Sequence, residues 1–336
     1  MQNSHDSAES TERSEPHMAT IYTRLASQLR IAVVTHGSEH SNLLQPCANS
    51  TAQWRSQANA IGQVNLAQGV YGPMLTYDAD MIIGQSLRTS GTFQESKIAE
   101  VSHFLANKYN FQPETFIDIG ANIGTHLVYA LKEAGYQEGF GVEPDINNYR
   151  LLVCNVLLNG LEGRTSLFNL ALSDDAGWAE LELSTENFGD HRIRSAVCEH
   201  AVSFGENERK TYQVPKTHAG RWLDDVARDP QRTLMWVDTQ GHEGHVFRCF
   251  LGDQTQAAPQ YMVAEFWPYG LERSGGKNSY LQYLAQCHAV YDINAENWAQ
   301  SSPVSIESLT ARYDQMLAET TAVHYPHTDL LCIGAG

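Results

Sequence analysis

From about residue 115 onward, short apolar runs alternate with helical stretches, and that rhythm restricts the fold more than any other feature of the chain. Residues 116–119, 139–142, 165–171, 234–238 and 261–266 read as buried strands. Residues 125–134, 145–158, 217–226 and 243–251 read as helices between them, with Asn159-Gly160 stopping the second. Alternation at 178–183 predicts an extra antiparallel strand. Residues 279–288 predict a further helix, and 290–293 and 330–333 the last two strands. Strand–helix–strand units of this kind wind right-handed onto a largely parallel sheet. The expected fold is α/β and Rossmann-like, a mostly parallel seven-stranded sheet with helices on both faces. Such sheets bind ligands beyond the carboxyl ends of their strands.

Upstream the texture differs. Residues 1–17 are Ser/Glu-rich and read as a disordered tail. Residues 18–75 read as an N-terminal extension or cap, with a short helix, the apolar run Ile31-Ala-Val-Val34, and a loop over 36–64. The sheet domain is placed at 76–336. It opens with a short strand at Met81-Ile-Ile83 and a helix over 95–108, whose apolar residues fall at 98, 101, 104 and 105.

Charge narrows the partners. Lys and Arg number 22 against 39 Asp and Glu, a net charge of −17. Such a chain repels phosphate backbones and anionic lipid, so neither nucleic acid nor a membrane is expected as a partner. No apolar run approaches the ~20 residues that span a bilayer. The cysteines at 47, 154, 198, 249, 287 and 332 form no Cys-x-x-Cys pair, which argues against zinc ribbons and thioredoxin-like chemistry. The N-terminus is polar and acidic, unlike a signal peptide, and a reducing cytoplasm is the expected setting.

The segment Phe116-Ile-Asp-Ile-Gly-Ala-Asn-Ile-Gly124 ends one strand and opens a helix. A dinucleotide fingerprint would need glycine at 120, 122 and 125, where this chain has Gly120, Asn122 and Thr125. An acid just before the first glycine, Asp118, suits a cationic amino-acid cofactor. Glu143 follows the first glycine by 23 residues, ends the second strand, and is placed to accept two ribose hydroxyls. The alternative for Glu143 is a turn acid ahead of a capping Pro-Asp.

These residues resemble the FkbM family of S-adenosylmethionine-dependent methyltransferases. The likeness is carried by the turn Phe116–Thr125, by Gly141-Val-Glu-Pro144, and by Asn169-Leu-Ala-Leu-Ser-Asp174. It continues through Asn187-Phe-Gly-Asp-His-Arg192, Val237-Asp-Thr-Gln-Gly-His-Glu243 and Glu265-Phe-Trp-Pro268. It runs from about residue 80 to the C-terminus and leaves the first 75 residues unassigned. The resemblance implies a class I methyltransferase fold and S-adenosylmethionine as cofactor. It implies a cofactor set of Asp118, Gly120, Asn122, Gly124, Thr125, Glu143, Ala171, Leu172 and Ser173. The acceptor class it implies is a hydroxyl on a glycan, polyketide or other secondary metabolite.

A hydroxyl acceptor must lose its proton. His191 is the first choice of base because imidazole titrates near neutrality, against a structural loop histidine. Asp238, His242 and Glu265 complete the catalytic set at the ends of the fourth and fifth strands. His242 alternatively caps the next helix, and Glu243 reads as a first-turn acid on the helix dipole. Arg192 pairs with Asp190 or grips an anionic part of the acceptor. Arg273-Ser-Gly-Gly-Lys277 reads as a lid or a solvated turn. No locally spaced metal motif is present, so no metal is assigned, although Asp238, Glu265 and His191 together have the donors for a divalent ion. Two rivals stay open: a nicotinamide-dependent reductase or epimerase, and a non-catalytic binding module on the same fold. Oligomeric state is not read from the sequence.

Overall fold

The structure, a computed structural model, describes residues 63–195, 205–226, 228–251, 258–321 and 324–334. The expected tail at 1–17 and residues 18–62 of the expected extension lie outside these, as do Cys47 and Cys198. Strands β1 (Val64–Gly69) and β2 (Gly72–Tyr77) form an antiparallel hairpin. The extension expected to stop at 75 would end inside β2. Asn155, fully buried, joins this hairpin to the glycine turn: its Oδ1 accepts Leu75 N at 2.6 Å, and its Nδ2 donates to Leu75 O and Ile123 O. Where a strand was expected at Met81-Ile-Ile83, helix α1 (Ile83–Ser90) begins instead. The Asp80 carboxylate accepts the N–H groups of Ile82 and Gly84, which satisfies donors that a helix start leaves open.

Helix α2 (Ser96–Tyr109) buries Ile98, Val101, Phe104 and Leu105, one face at helical spacing. The sheet domain follows: β3 (Thr115–Ile119), α3 (Thr125–Lys132), β4 (Glu138–Val142), α4 (Ile146–Leu158) and β5 (Thr165–Phe168). After an excursion come β10 (Thr233–Val237), α6 (Glu243–Arg248), β11 (Tyr261–Phe266), α7 (Pro268–Ser274), α8 (Lys277–Gln286), β12 (Ala289–Asp292), α9 (Ile306–Glu319) and β13 (Thr328–Ile333). The seven strands are ordered β12-β13-β11-β10-β3-β4-β5. Strands β11, β10, β3, β4 and β5 run parallel, and β13 is antiparallel to both its neighbours. A dinucleotide sheet of this kind runs 3-2-1-4-5-6 and is parallel throughout. The inserted antiparallel β13 separates this chain from that class.

The central strands β3, β10 and β11 are mostly apolar and buried because both faces are covered, whereas the edge strand β5 is only partly buried. Ile117, Ile119, Met235, Val237, Met262 and Ala264 pack into one core with Phe247, Tyr280 and Tyr313 of the helices. The alternating residues face the other layer, where Phe116 meets Tyr136 at 5.2 Å and Trp236 meets His126 at 5.0 Å.

The strand expected at 165–171 is two strands in different sheets. Asn169 donates from Nδ2 to the carbonyls of Glu143 and Pro144, and the chain leaves the main sheet there. Strands β6 (Ala171–Ser173), β7 (Gly177–Glu182), β8 (Arg192–Ile193) and β9 (Thr211–His218) form a second sheet in the order β6-β9-β7-β8. The helix expected from 217 starts later, as α5 (Ala219–Val226), because Thr217 and His218 pair with Leu172 and Ser173. Among the described residues, no helix is long and apolar enough to cross a membrane.

Candidate active site

Strand order reverses between β3 and β10, so the crevice opens where those two strands end. The two ends approach closely. A Cβ on Gly120 would lie 1.8 Å from the Asp238 carbonyl oxygen, and Gly120 has φ +88°, so only glycine fits. Asn122 also takes a left-handed backbone, with φ +50°. Its N–H donates to Glu143 Oε2 at 2.8 Å, its Nδ2 to Phe188 O, and its Oδ1 accepts Ile123 N. Gly124 (φ +89°) precedes α3 and lets it seat against α4: a Cβ there would be 2.6 Å from Leu152 Cδ1. Thr125 is the first residue of α3 and is buried.

Glu143 is 4% exposed, and both its oxygens accept backbone N–H groups, from Asn122 and from Asp145 at 2.7 Å. Burial and the neighbouring Asp145 carboxylate push it up to about 8, against those two N–H bonds. Asp145, not Glu143, caps α4: its carboxylate accepts Asn147 N and Asn148 N. Asp118 is 1% exposed, and its Oδ2 has no hydrogen-bond partner. Burial, and then the Asp238 charge, raise it to about 8. Gly120, Asn122, Glu143, Ala171, Leu172, His191, Asp238 and His242 all line one cleft. Ser173 lies just beyond, buried, with its hydroxyl 3.0 Å from His242 Nε2.

A family model described as the methyltransferase FkbM domain matches residues 118–291. The chain belongs to that family. The match starts at Asp118 and ends within β12, so it takes in the crevice and the second sheet of this FkbM methyltransferase. Among solved structures the protein is similar to P. horikoshii TYW2, solved in complex with MeSAdo, at 13% identity and TM-score 0.37, over 81% of this chain and 72% of that one. It is also similar to a methyltransferase FkbM from Methylobacillus flagellatus KT, at 12% identity and TM-score 0.31, over 76% and 56% of the two chains. A third is an O-methyltransferase from Bacillus cereus in complex with SAH, at 9% identity and TM-score 0.32, over 90% and 97%. No curated protein sequence matches.

The histidines of this methyltransferase differ from expectation. His191 Nδ1 accepts the N–H of Ser184 at 3.1 Å, and burial lowers its pKa. A neutral ring that accepts at Nδ1 carries its proton on Nε2, so that nitrogen is a donor. The role of general base expected for His191 does not suit this tautomer. His242 does not cap α6 with its side chain. It stacks on His245 at 4.3 Å, and burial and His245 lower it to about 3, so it stays neutral and is a weak base. Arg192 is not free to grip an acceptor. It is 3% exposed, pairs with Asp190 through two hydrogen bonds, pairs with Glu206, and lies 4.7 Å over Trp267. The segment 273–277, expected as a lid or a solvated turn, is the short turn between α7 and α8, with Gly275 exposed and Gly276 buried. Arg273 pairs with Glu182, and a Cβ on Gly244 would be 2.1 Å from Gly276 O.

The loop at 187–192 is strapped over the glycine turn, because Phe188 O accepts both Asn122 Nδ2 and Asn148 Nδ2. At the strand ends, Asp238 Oδ1 accepts Gln240 Nε2 at 2.6 Å and Glu265 Oε2 accepts the same amide at 3.3 Å. Glu243 belongs with them. It is fully buried; Oε1 accepts Thr239 N, Thr239 Oγ1 and Gly241 N, and Oε2 has no hydrogen-bond partner. Burial raises all three carboxyls. In the sequence alone Glu243 reads as a first-turn acid. The signal available was its offset of four from Thr239 across a Gly-containing turn, which folds the acid back onto the strand end.

Proposed function

We propose that this protein transfers the methyl group of S-adenosylmethionine to a hydroxyl oxygen of a small-molecule or glycan acceptor. The observation that carries the reading is the buried Asp118 oxygen without a partner beside a glycine turn that admits no side chain at 120. A buried carboxyl of that kind fits the ammonium end of an amino-acid cofactor, whose positive charge favours the ionised form that burial otherwise disfavours. In the proposal Asp118 and the turn at Gly120, Asn122 and Gly124 hold the methionine portion, and Thr125 opens the helix behind it. Glu143 accepts the ribose hydroxyls with its remaining lone pairs, and Ala171 and Leu172 wall the adenine, with Ser173 supporting His242. Bound there, S-adenosylmethionine supplies an electrophilic methyl group.

Asp238 and Glu265 stand at the strand ends that face the acceptor, and His191 donates to the acceptor from Nε2. The hydroxyl as acceptor atom, and glycan, polyketide or other secondary metabolite as its source, rest on the FkbM resemblance alone. The nicotinamide alternative is disfavoured by Asn122, Thr125 and the antiparallel β13. Calorimetry with S-adenosylhomocysteine and with NAD tests the cofactor: heat with NAD alone overturns the proposal.

Two results follow for the same assay. Binding that uses ionised Glu143 competes with its proton. S-adenosylhomocysteine affinity therefore rises with pH, by up to ~10-fold per unit below pH 8, and levels off above it. Glu143→Gln removes this share of the dependence and leaves the share due to Asp118, whose carboxyl is also raised to about 8. The stability sign is opposite: a raised carboxyl contributes stability below its unfolded value near 4.5, lost as pH rises through 8. Second, His191→Ala is expected to weaken acceptor binding while the acid limb of the kcat profile stays in place. Loss of that limb would restore His191 as the base.

A further inference from the structure

We infer that Asp238, Glu243 and Glu265 form a site for one hard divalent cation of the Mg²⁺/Mn²⁺ class. Each offers one carboxylate oxygen, and the three oxygens all lie within 4.8 Å of one another. Oxygens on opposite sides of such an ion, at ~2.0–2.6 Å from it, are ~4–5 Å apart, so the three fit one coordination sphere. The donors are all oxygen, which suits Mg²⁺ or Mn²⁺ over zinc.

Carboxylates gathered together do not by themselves make a site. Here a second observation points to a ligand. Glu243 is fully buried, yet its Oε2 has no hydrogen-bond partner. A buried carboxylate oxygen without a partner is costly unless something cationic or protic fills its lone pairs. No protein cation does so, since among the described residues no ion pair reaches Asp238, Glu243 or Glu265. The other Glu243 oxygen is held by Thr239 and Gly241, which fixes the carboxylate in place. Gln240, bonded to both Asp238 and Glu265, holds the remaining two at a set separation.

The fold produces this arrangement by adjacency. Strands β10 and β11 pair in parallel with Val237 opposite Ala264, so the next residues, Asp238 and Glu265, lie side by side. The turn after β10 then brings in Glu243, the first residue of α6. Asp238 and Glu265 are only partly buried and Asp238 lines the cleft, so the outer side of the ion is open to water or to an acceptor oxygen. A hydroxyl bound there becomes more acidic, and its proton passes to solvent. That supplies the activation for which His191 and His242 are unsuited. Metal binding stands apart from the cofactor reading; only its use in methyl transfer rests on that reading.

The test is MnCl₂ titration of the full chain followed by electron paramagnetic resonance, with S-adenosylhomocysteine binding measured on the same samples. One bound Mn²⁺ per chain is expected. Asp238→Asn and Glu265→Gln, near-isosteric and checked by thermal melting, should each bind it ~100-fold more weakly. The exposed control Asp314→Asn should bind as wild type. Absence of bound Mn²⁺ in folded wild-type protein at millimolar metal overturns the site, as does unchanged binding in both variants. Mn²⁺ binding without S-adenosylhomocysteine binding would instead leave the site and remove the cofactor reading.

Discussion

Gly120→Ala is expected to melt about 10 °C below wild type and to lose S-adenosylhomocysteine binding. The methyl group would lie 1.8 Å from the Asp238 carbonyl oxygen, which is backbone and has no rotamer to move into. The backbone at φ +88° adds its own cost for any residue with a Cβ. Relief requires β3 and β10 to separate at their carboxyl ends, where Asp238 N donates to Ile119 O at 2.9 Å. Together these amount to ~3–5 kcal/mol, the range reserved for backbone strain and core disruption. Thermal melting and calorimetry read both effects. A variant with wild-type melting and wild-type affinity would mean that the two strand ends are not in contact in solution.

The second large effect is at Glu143. A ribose-binding role alone would let Glu143→Ala weaken cofactor binding and leave folding intact. The structure adds a structural role, since the two oxygens hold Asn122 N and Asp145 N. Alanine leaves one buried donor, Asp145 N, and one partly buried donor, Asn122 N, unpaired, at up to about 1–3 kcal/mol each, so stability and binding should fall together. Glu143→Gln should be intermediate. Its amide has one acceptor oxygen, and its NH₂ would face a second donor. Equal melting temperatures for wild type and Glu143→Ala would contradict the pairing.

These two residues mark what the sequence made legible. Gly120 and Glu143 were found because a glycine turn and a strand-end acid have fixed places in an open parallel sheet. The central strands are legible for a related reason: burial on both faces makes β3, β10 and β11 mostly apolar runs. What escaped depends on contacts across the chain. Nothing near 165–171 says that Asn169 will turn back to Glu143 O and split the strand. Nothing near 187–192 says that Ser184 N will occupy His191 Nδ1 and fix its tautomer. Asp80 drew Met81-Ile-Ile83 into a helix start by accepting two N–H groups, a capping signal weaker than the apolar run beside it. Glu243 was seen but assigned to the helix dipole, because its neighbour Glu265 lies on another strand.

The place of β13 has a consequence for how the protein is made. This strand is the last of the sheet in sequence, yet it lies between β11 and β12 and pairs along six residues with β11. As the chain leaves the ribosome, β11 and β12 are synthesised with no partner on their facing edges. Exposed apolar edges of that kind are where nascent chains associate wrongly. The helix α9 is made in that interval, before the strand that joins the two edges. Pairing of residues 328–333 with both edges is thus the step that closes the sheet, and until it occurs the facing edges of β11 and β12 stay open to wrong pairing.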